Sequence, residues 1–223
     1  MSIIIITLND PNLAKLLTQI FALNFDGEFE VIIVNAGEPL SLENKKIKVI
    51  ENAPRNRGLQ LNLGANLAKF ETLWFLHSDS SIDKNSLNLI SSALRSSEIG
   101  CFRVKFDKGG FFMKFIELGS NLRVIFRNIA FGDQGIFIKK SLFESLGKFR
   151  EIPIMEDYDF SMKVKESGYK FKLANGYITT SARRFKNPLK TLFKMQVLQY
   201  KFRKERKKAN LKMEKFQNEY QKI

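Results

Sequence analysis

Apolar residues fall into two patterns along the chain. Short unbroken runs rich in β-branched residues occupy positions 2–7, 29–34, Ile47–Ile50 and 72–76. Runs of that length predict strands, most of them buried on both faces. Between them apolar positions recur at helical spacing. Asn9-Asp10-Pro11 offers a capping side chain and a proline for a first turn, and Leu13, Leu16, Leu17, Ile20 and Phe21 follow on one helical face. Residues 57–69 suit a second helix, whose Leu61, Gly64, Ala65 and Ala68 make a small-residue face for close packing on a sheet. Residues 84–95 suit a third. This alternation predicts an α/β sheet of mainly parallel strands flanked by helices, joined by right-handed crossovers. Ligands of such sheets bind beyond the carboxyl ends of the strands. Residues 7–10, 35–37, 55–60 and 77–79 should therefore form one cluster.

The second half is less regular. Residues 102–106 alternate apolar and polar, as a strand exposed on one face does. Residues 109–130, rich in Phe and Arg, read as irregular. Gly132-Asp133-Gln134-Gly135 precedes a strand at 136–138, and 141–146 is a short helix. A helix runs from Met155-Glu156-Asp157 to about residue 167, and 169–174 with 176–180 read as a hairpin. From Pro188 a helical tail begins. The expected division is a domain over 1–187 and a basic amphipathic helical extension over 188–223.

Composition narrows this. With 44% hydrophobic and 27% charged residues the chain is of globular type, and 223 residues fit one large domain with an appendage. The single cysteine, Cys101, and single histidine, His77, exclude an intrachain disulfide and any Cys-rich or two-His metal site within the chain. No apolar run approaches the roughly 20 residues of a membrane span. The N-terminal residues lack the basic region and cleavage site of a signal peptide, so a cytoplasmic protein is expected. The net charge of +14 is unevenly placed: residues 1–182 carry +3 and residues 183–223 carry +11.

The order of motifs resembles that of family-2 glycosyltransferases with a GT-A fold. Residues 3–10 (IIIITLND) are similar to that family's first strand and nucleotide loop. His77-Ser78-Asp79 stands where the family has its metal-binding Asp-x-Asp, and Glu156-Asp157 where it has its catalytic acids at a helix start. RGLQLNLGA at 57–65, FLHSD at 75–79, FGDQG at 131–135, IPIMED at 152–157 and TTSARR at 179–184 resemble, more narrowly, the small bacterial branch called arsenosugar-biosynthesis or radical-SAM/selenodomain-associated glycosyltransferases. The resemblance covers residues 2–187. One departure is Asn35, where the family usually has an Asp that contacts base or ribose. An Asn donates as well as accepts and carries no charge.

The resemblance implies an inverting, metal-dependent hexosyl transfer from a UDP- or GDP-linked sugar to an acceptor hydroxyl. A departing diphosphate is neutralised by Mg²⁺ or Mn²⁺ as Lewis acid, and such ions need few protein ligands. Asp79 is the expected metal ligand; a helix cap is its ordinary alternative. His77 is read as a hydrogen-bond partner of ribose or phosphate rather than a ligand. Asp157 is the expected base and Glu156 its orienting partner or an acceptor contact. The plainer reading makes Glu156, Asp157 and Asp159 first-turn acids that suit the helix dipole. Thr7, Asn9, Asn35, Arg57, Gln60, His77, Asp133, Gln134, Arg183 and Arg184 complete the expected nucleotide-sugar site. Arg55 belongs to the same loop as Arg57, with a solvated loop as its alternative. Residues 189–208 resemble a basic amphipathic helix that can lie on an anionic membrane, which would place the protein at the inner face of the cell membrane; the plainer reading packs 189–200 on the body and makes 201–223 a solvated helical extension. No nucleic-acid-binding pattern accompanies the charge. Two competing functions stay open. One is a sugar nucleotidyltransferase, although Thr7-Leu8-Asn9-Asp10 lacks its Gly-rich basic loop. The other is a non-catalytic nucleotide or glycan binder.

Overall fold

The computed structural model describes residues 1–42, 44–182, 185, 187–208 and 212–222. In chain order the elements are β1 (Ser2–Thr7), α1 (Leu13–Phe21), β2 (Glu30–Asn35), β3 (Ile47–Ile50), α2 (Arg57–Leu67), β4 (Thr72–His77), α3 (Ser86–Ala93), β5 (Ile99–Phe106), α4 (Phe111–Arg127), a 3-10 turn (Gly132–Gln134), β6 (Phe137–Lys139), α5 (Lys140–Ser145), α6 (Glu156–Glu166), β7 (Lys172–Thr180), α7 (Pro188–Glu205) and α8 (Met213–Gln221).

The strands form one seven-stranded sheet in the order β3-β2-β1-β4-β6-β5-β7. β6 runs antiparallel to both of its neighbours, and the other pairings are parallel. One edge of the sheet thus gathers the carboxyl ends of β1, β2, β4, β5 and β7 and the segment that enters β6. This is the GT-A arrangement of a mixed, mainly parallel sheet between helical layers.

Alternation along the strands builds two cores. Ile4, Ile6, Ile32, Val34 and Phe75 face one side, against Leu61 and Ala65 of α2 and Phe160 and Val164 of α6. Ile3, Ile5, Ile33, Trp74 and Leu76 face the other, against Leu16 and Ile20 of α1 and Ile90 of α3. Period-two alternation with both faces covered explains why these strands read as unbroken apolar runs. The small-residue face of α2 has a measurable purpose. A Cβ on Gly64 would sit 2.5 Å from Ile4 Cγ2, so the helix lies too close to β1 for any side chain there. Asn56 caps α2 by accepting from the Leu59 amide at 3.1 Å, which fixes where Arg57 begins the helix.

Three regions differ from the sequence expectation. Residues 109–130 are mostly the long helix α4, whose pattern is inverted: Met113, Ile116 and Val124 face in, while larger apolar side chains face out. The expected hairpin is the single strand β7, with Gly176 inside it. A Cβ on Gly176 would lie 2.6 Å from Leu89 Cδ1, so the glycine admits a neighbouring helix rather than a turn. Third, the segment beyond residue 200 is not a solvated extension. Leu198, Phe202 and Phe216 are buried with Ile152, Ile154 and Tyr158. Arg206, almost fully buried, joins Asp159 at 3.0 Å and Glu166 at 2.8 Å.

Candidate active site

The sheet edge where the strand ends converge opens into a cleft of about 690 Å³. Its floor carries Thr7 from β1, His77, Ser78 and Asp79 from the end of β4, Asp133 from the turn before β6, and Thr180 and Ser181 after β7. Arg55, Arg57 and Gln60 enter from the start of α2, and Asp157 from the start of α6. The far wall is Met195 of α7 with Gln217, Tyr220 and Gln221 of α8.

Asp157 is held rigidly. Its Oδ2 accepts from the Gly132 amide at 2.8 Å and its Oδ1 from the Tyr158 amide at 2.6 Å. Gly132 also backs His77: a Cβ there would stand 2.7 Å from His77 Nε2. One glycine therefore lets the β4 end, the 3-10 turn and the α6 start meet.

Three cleft-lining residues present buried polar atoms with no hydrogen-bond partner among the described residues: Thr7 Oγ1, Gln60 Nε2 and Asp133 Oδ1. Buried polar atoms are rarely left unmatched, and those at a cleft await a ligand or water. Burial pushes the Asp133 carboxyl up to about 6. Asp157 and Asp79 push the same way, while Arg123 opposes. Among the described residues the cleft lining carries the carboxyl groups of Asp10, Asp79, Asp133 and Asp157 and the guanidinium groups of Arg55 and Arg57. Among the described residues no three Asp, Glu, His or Cys side chains form a complete cation cage.

Glu156 does not line this cleft. It is fully buried beneath it, beside a void of about 10 Å³ that Gly132, His77 and Asp157 also border, enough for about one water. Neither carboxylate oxygen has a hydrogen-bond partner among the described residues, and the Arg57 guanidinium lies 3.8 Å away. Burial pushes its pKa up to about 8; the Arg57 charge opposes and the Asp157 charge adds.

The expected residues accordingly divide. Thr7, Arg57, Gln60, His77, Asp79, Asp133 and Asp157 come together around the cleft. Asn9, Asn35, Gln134 and Glu156 lie outside its lining. Asn9 Oδ1 accepts from the Glu38 amide at 2.7 Å in a left-handed turn conformation. The Asn35 side chain is spent on the loop after β2: Nδ2 donates to Glu38 O and Glu51 Oε2, and Oδ1 accepts from Gly37. Gln134 Oε1 accepts from Arg123 at 2.9 Å, and the residue is fully buried. Asn9, Asn35 and Gln134 thus spend their side chains on Glu38, Glu51 and Arg123, partners outside the cleft lining. Arg183 and Arg184 lie outside the described residues.

Sequence reasoning missed Arg123, Gln217 and Tyr220. Arg123 stacks 3.7 Å over the Phe131 ring and donates to Ile129 O, so it braces the segment leading to Asp133. It sits in a region read as irregular, and the α8 residues carry no motif.

Comparison with known proteins agrees with this geometry. The family model described as glycosyl transferase family 2 matches residues 2–147. No curated protein matches the sequence. Among solved structures, the Staphylococcus aureus TarS fragment 1–349 is similar at TM-score 0.62 and 18% identity, covering 98% of this chain and 68% of that one. The same fragment in complex with UDP-GlcNAc gives 0.60 and 18%, covering 98% and 70%. The Pyrobaculum calidifontis mannosyltransferase PcManGT, in complex with GDP-Man and Mn²⁺, gives 0.66 and 16%, covering 98% and 68%. Of the longer TarS structure the chain covers 41%. The chain belongs to glycosyl transferase family 2.

Proposed function

We propose that this member of glycosyl transferase family 2 moves a hexosyl group from a nucleotide-diphosphate donor to an acceptor hydroxyl, with inversion and with Mg²⁺ or Mn²⁺. The observation that carries the reading is the grouping, in one cleft, of Thr7 Oγ1, Gln60 Nε2 and Asp133 Oδ1 as unmatched polar atoms around Asp79 and the doubly anchored Asp157. A bound divalent ion supplies charge neutralisation at the departing diphosphate. Asp79 is its proposed protein ligand. Thr7, Arg57, Gln60 and His77 are proposed to bind the nucleotide diphosphate, and Asp133 the sugar. Arg183 and Arg184 remain proposed phosphate contacts. Asn9 and Asn35 serve this site indirectly, by shaping the loop after β2, and Gln134 by holding Arg123.

In the proposed chemistry Asp157 takes the acceptor hydroxyl proton as that oxygen attacks the anomeric carbon and the bond to the diphosphate breaks. The two amides that hold its carboxylate keep it aimed without costing rotamer freedom at reaction time. Glu156 is proposed as support beneath Asp157. The cleft also favours transfer over a nucleotidyltransferase, since Thr7-Leu8-Asn9-Asp10 brings no basic side chain to the diphosphate. We place the chain in the arsenosugar-type branch on its sequence blocks, in the cytoplasm, and peripheral on an anionic inner membrane face through residues 189–208. No helix among the described residues is long and apolar enough to cross a membrane.

Thermal-shift measurement with UDP- and GDP-sugars tests the donor and metal together. A nucleotide sugar should raise the melting temperature of the wild type further when Mn²⁺ is present, and Asp79→Asn should remove the added Mn²⁺ effect. No shift with any nucleotide would remove the donor site.

A further inference from the structure

We propose that the outer face of α4, joined by the exposed side chains of α7, is a docking surface for an anionic lipid bilayer. This rests on the peripheral-membrane reading above and changes its anchor: the apolar contact comes chiefly from α4, outside residues 189–208.

Phe111, Phe115, Leu118, Leu122, Ile125 and Phe126 follow one another along the outer side of α4. Phe111 is 73% exposed and Phe126 79%, values at odds with the half-buried aromatics usual on a soluble surface. Phe111 and Phe115 pack edge to face at 4.8 Å, so they make one apolar ridge. The helix's only carboxylate is turned inward, where Glu117 Oε1 accepts from the Phe106 amide at 2.8 Å. Its outward charges are both cations, Lys114 and Arg127.

Helix α7 repeats this composition. Leu189, Leu192 and Phe193 are exposed, and Tyr200 is exposed with the Lys204 ammonium 4.7 Å from its ring centre. Lys190, Arg203 and Lys204 are exposed beside them, and no acid occurs between residues 188 and 204. Exposed aromatic and aliphatic side chains interspersed with cations, on helices that turn no carboxylate outward over 111–127 and 188–204, match the boundary between acyl chains and anionic headgroups. A second copy of this chain is a poorer occupant, because it would bring the same cations face to face. Both helices also reach the cleft from their inner sides. Met113 and Ile116 pack with the cleft residues Phe106 and Phe185, and Met195 of α7 lines it.

The test is co-sedimentation of the full chain with phosphatidylcholine vesicles, with and without phosphatidylglycerol, at low salt. The wild type should partition onto the phosphatidylglycerol vesicles only. Phe111→Ser/Phe115→Ser/Phe126→Ser should lower that partition by at least about tenfold while melting temperature and nucleotide-induced shift stay unchanged. Should the triple variant fold poorly, Phe126→Ser alone should still weaken partition severalfold. Lys190→Gln/Arg203→Gln/Lys204→Gln should erase the preference for anionic vesicles. Absence of wild-type binding, or full binding by the phenylalanine variants, overturns the proposal. If the cation variant alone weakens binding, residues 189–208 act without α4 and this inference fails. A wild-type dimer that the phenylalanine variant renders monomeric, without vesicle binding, makes the surface a self-association face and also overturns it. Vesicle binding with no nucleotide shift would sink the donor reading and leave this one standing.

Discussion

Glu156→Gln converts a buried acid into a neutral isostere, and its effect on stability should depend on pH in a defined direction. The Glu156 side chain is fully buried, neither oxygen has a hydrogen-bond partner among the described residues, and the Arg57 guanidinium lies at 3.8 Å. Its pKa rises from 4.5 to about 8. Folding therefore takes up a proton at this site between those values. The folded chain binds more protons than the unfolded chain, so stability falls as pH rises through that window. One pH unit in it corresponds to about 1.4 kcal/mol for a single site. Across the whole window the loss is about 4 kcal/mol, the Arg57 attraction being already contained in the raised pKa. Glutamine has no such proton to keep. The variant should match the wild type near pH 4 and exceed it increasingly up to pH 8. Urea unfolding of both proteins at intervals of one pH unit reads this directly, and titrating groups not coupled to Glu156 cancel in the difference. Parallel stability curves, or a variant that loses ground as pH rises, would refute a protonated Glu156 beneath the cleft.

Two further outcomes follow from the packing. Gly132→Ala puts a Cβ 2.7 Å from His77 Nε2 and 3.5 Å from Asp157 Oδ2, which must displace one of them; turnover should fall by about 10²-fold, and urea unfolding should show a loss of about 1–3 kcal/mol. Arg206→Ala leaves Asp159 buried without its ion pair at 3.0 Å, so unfolding should show a loss of about 3–5 kcal/mol, largely recovered in Asp159→Asn/Arg206→Met.

The parallel half of the sheet was legible because its strands are covered on both faces. Burial on both sides leaves an unbroken apolar run, and β1, β2 and β4 have little else. The site was legible as positions, since residues after strand ends must gather at one edge. Direction was not legible. Asn35 and Gln134 stand at motif positions, yet their amides are consumed by Glu51 and Arg123, partners 16 and 11 residues away that no motif names. Helix α4 was hidden because its largest apolar residues face outward, so hydrophobic periodicity pointed to no core. Gly176 read as a turn because a strand glycine and a turn glycine look alike until the neighbouring Leu89 is known. Beyond residue 200, the high density of cations obscured Phe202 and Phe216, which anchor the C-terminal helices against Tyr158 and its neighbours.

The central claim is that Asp157 is the base of a glycosyl transfer carried out in this cleft. Asparagine there keeps the side chain's shape, and its oxygen can still accept from the Gly132 amide, but it cannot take a proton. The direct measurement is single-turnover transfer from the nucleotide sugar that gives the largest Mn²⁺-dependent thermal shift, wild type against Asp157→Asn, with donor affinity determined in parallel by calorimetry. Turnover should fall by about 10²–10⁴-fold with donor affinity unchanged. A variant that binds donor and transfers at the wild-type rate would contradict the account.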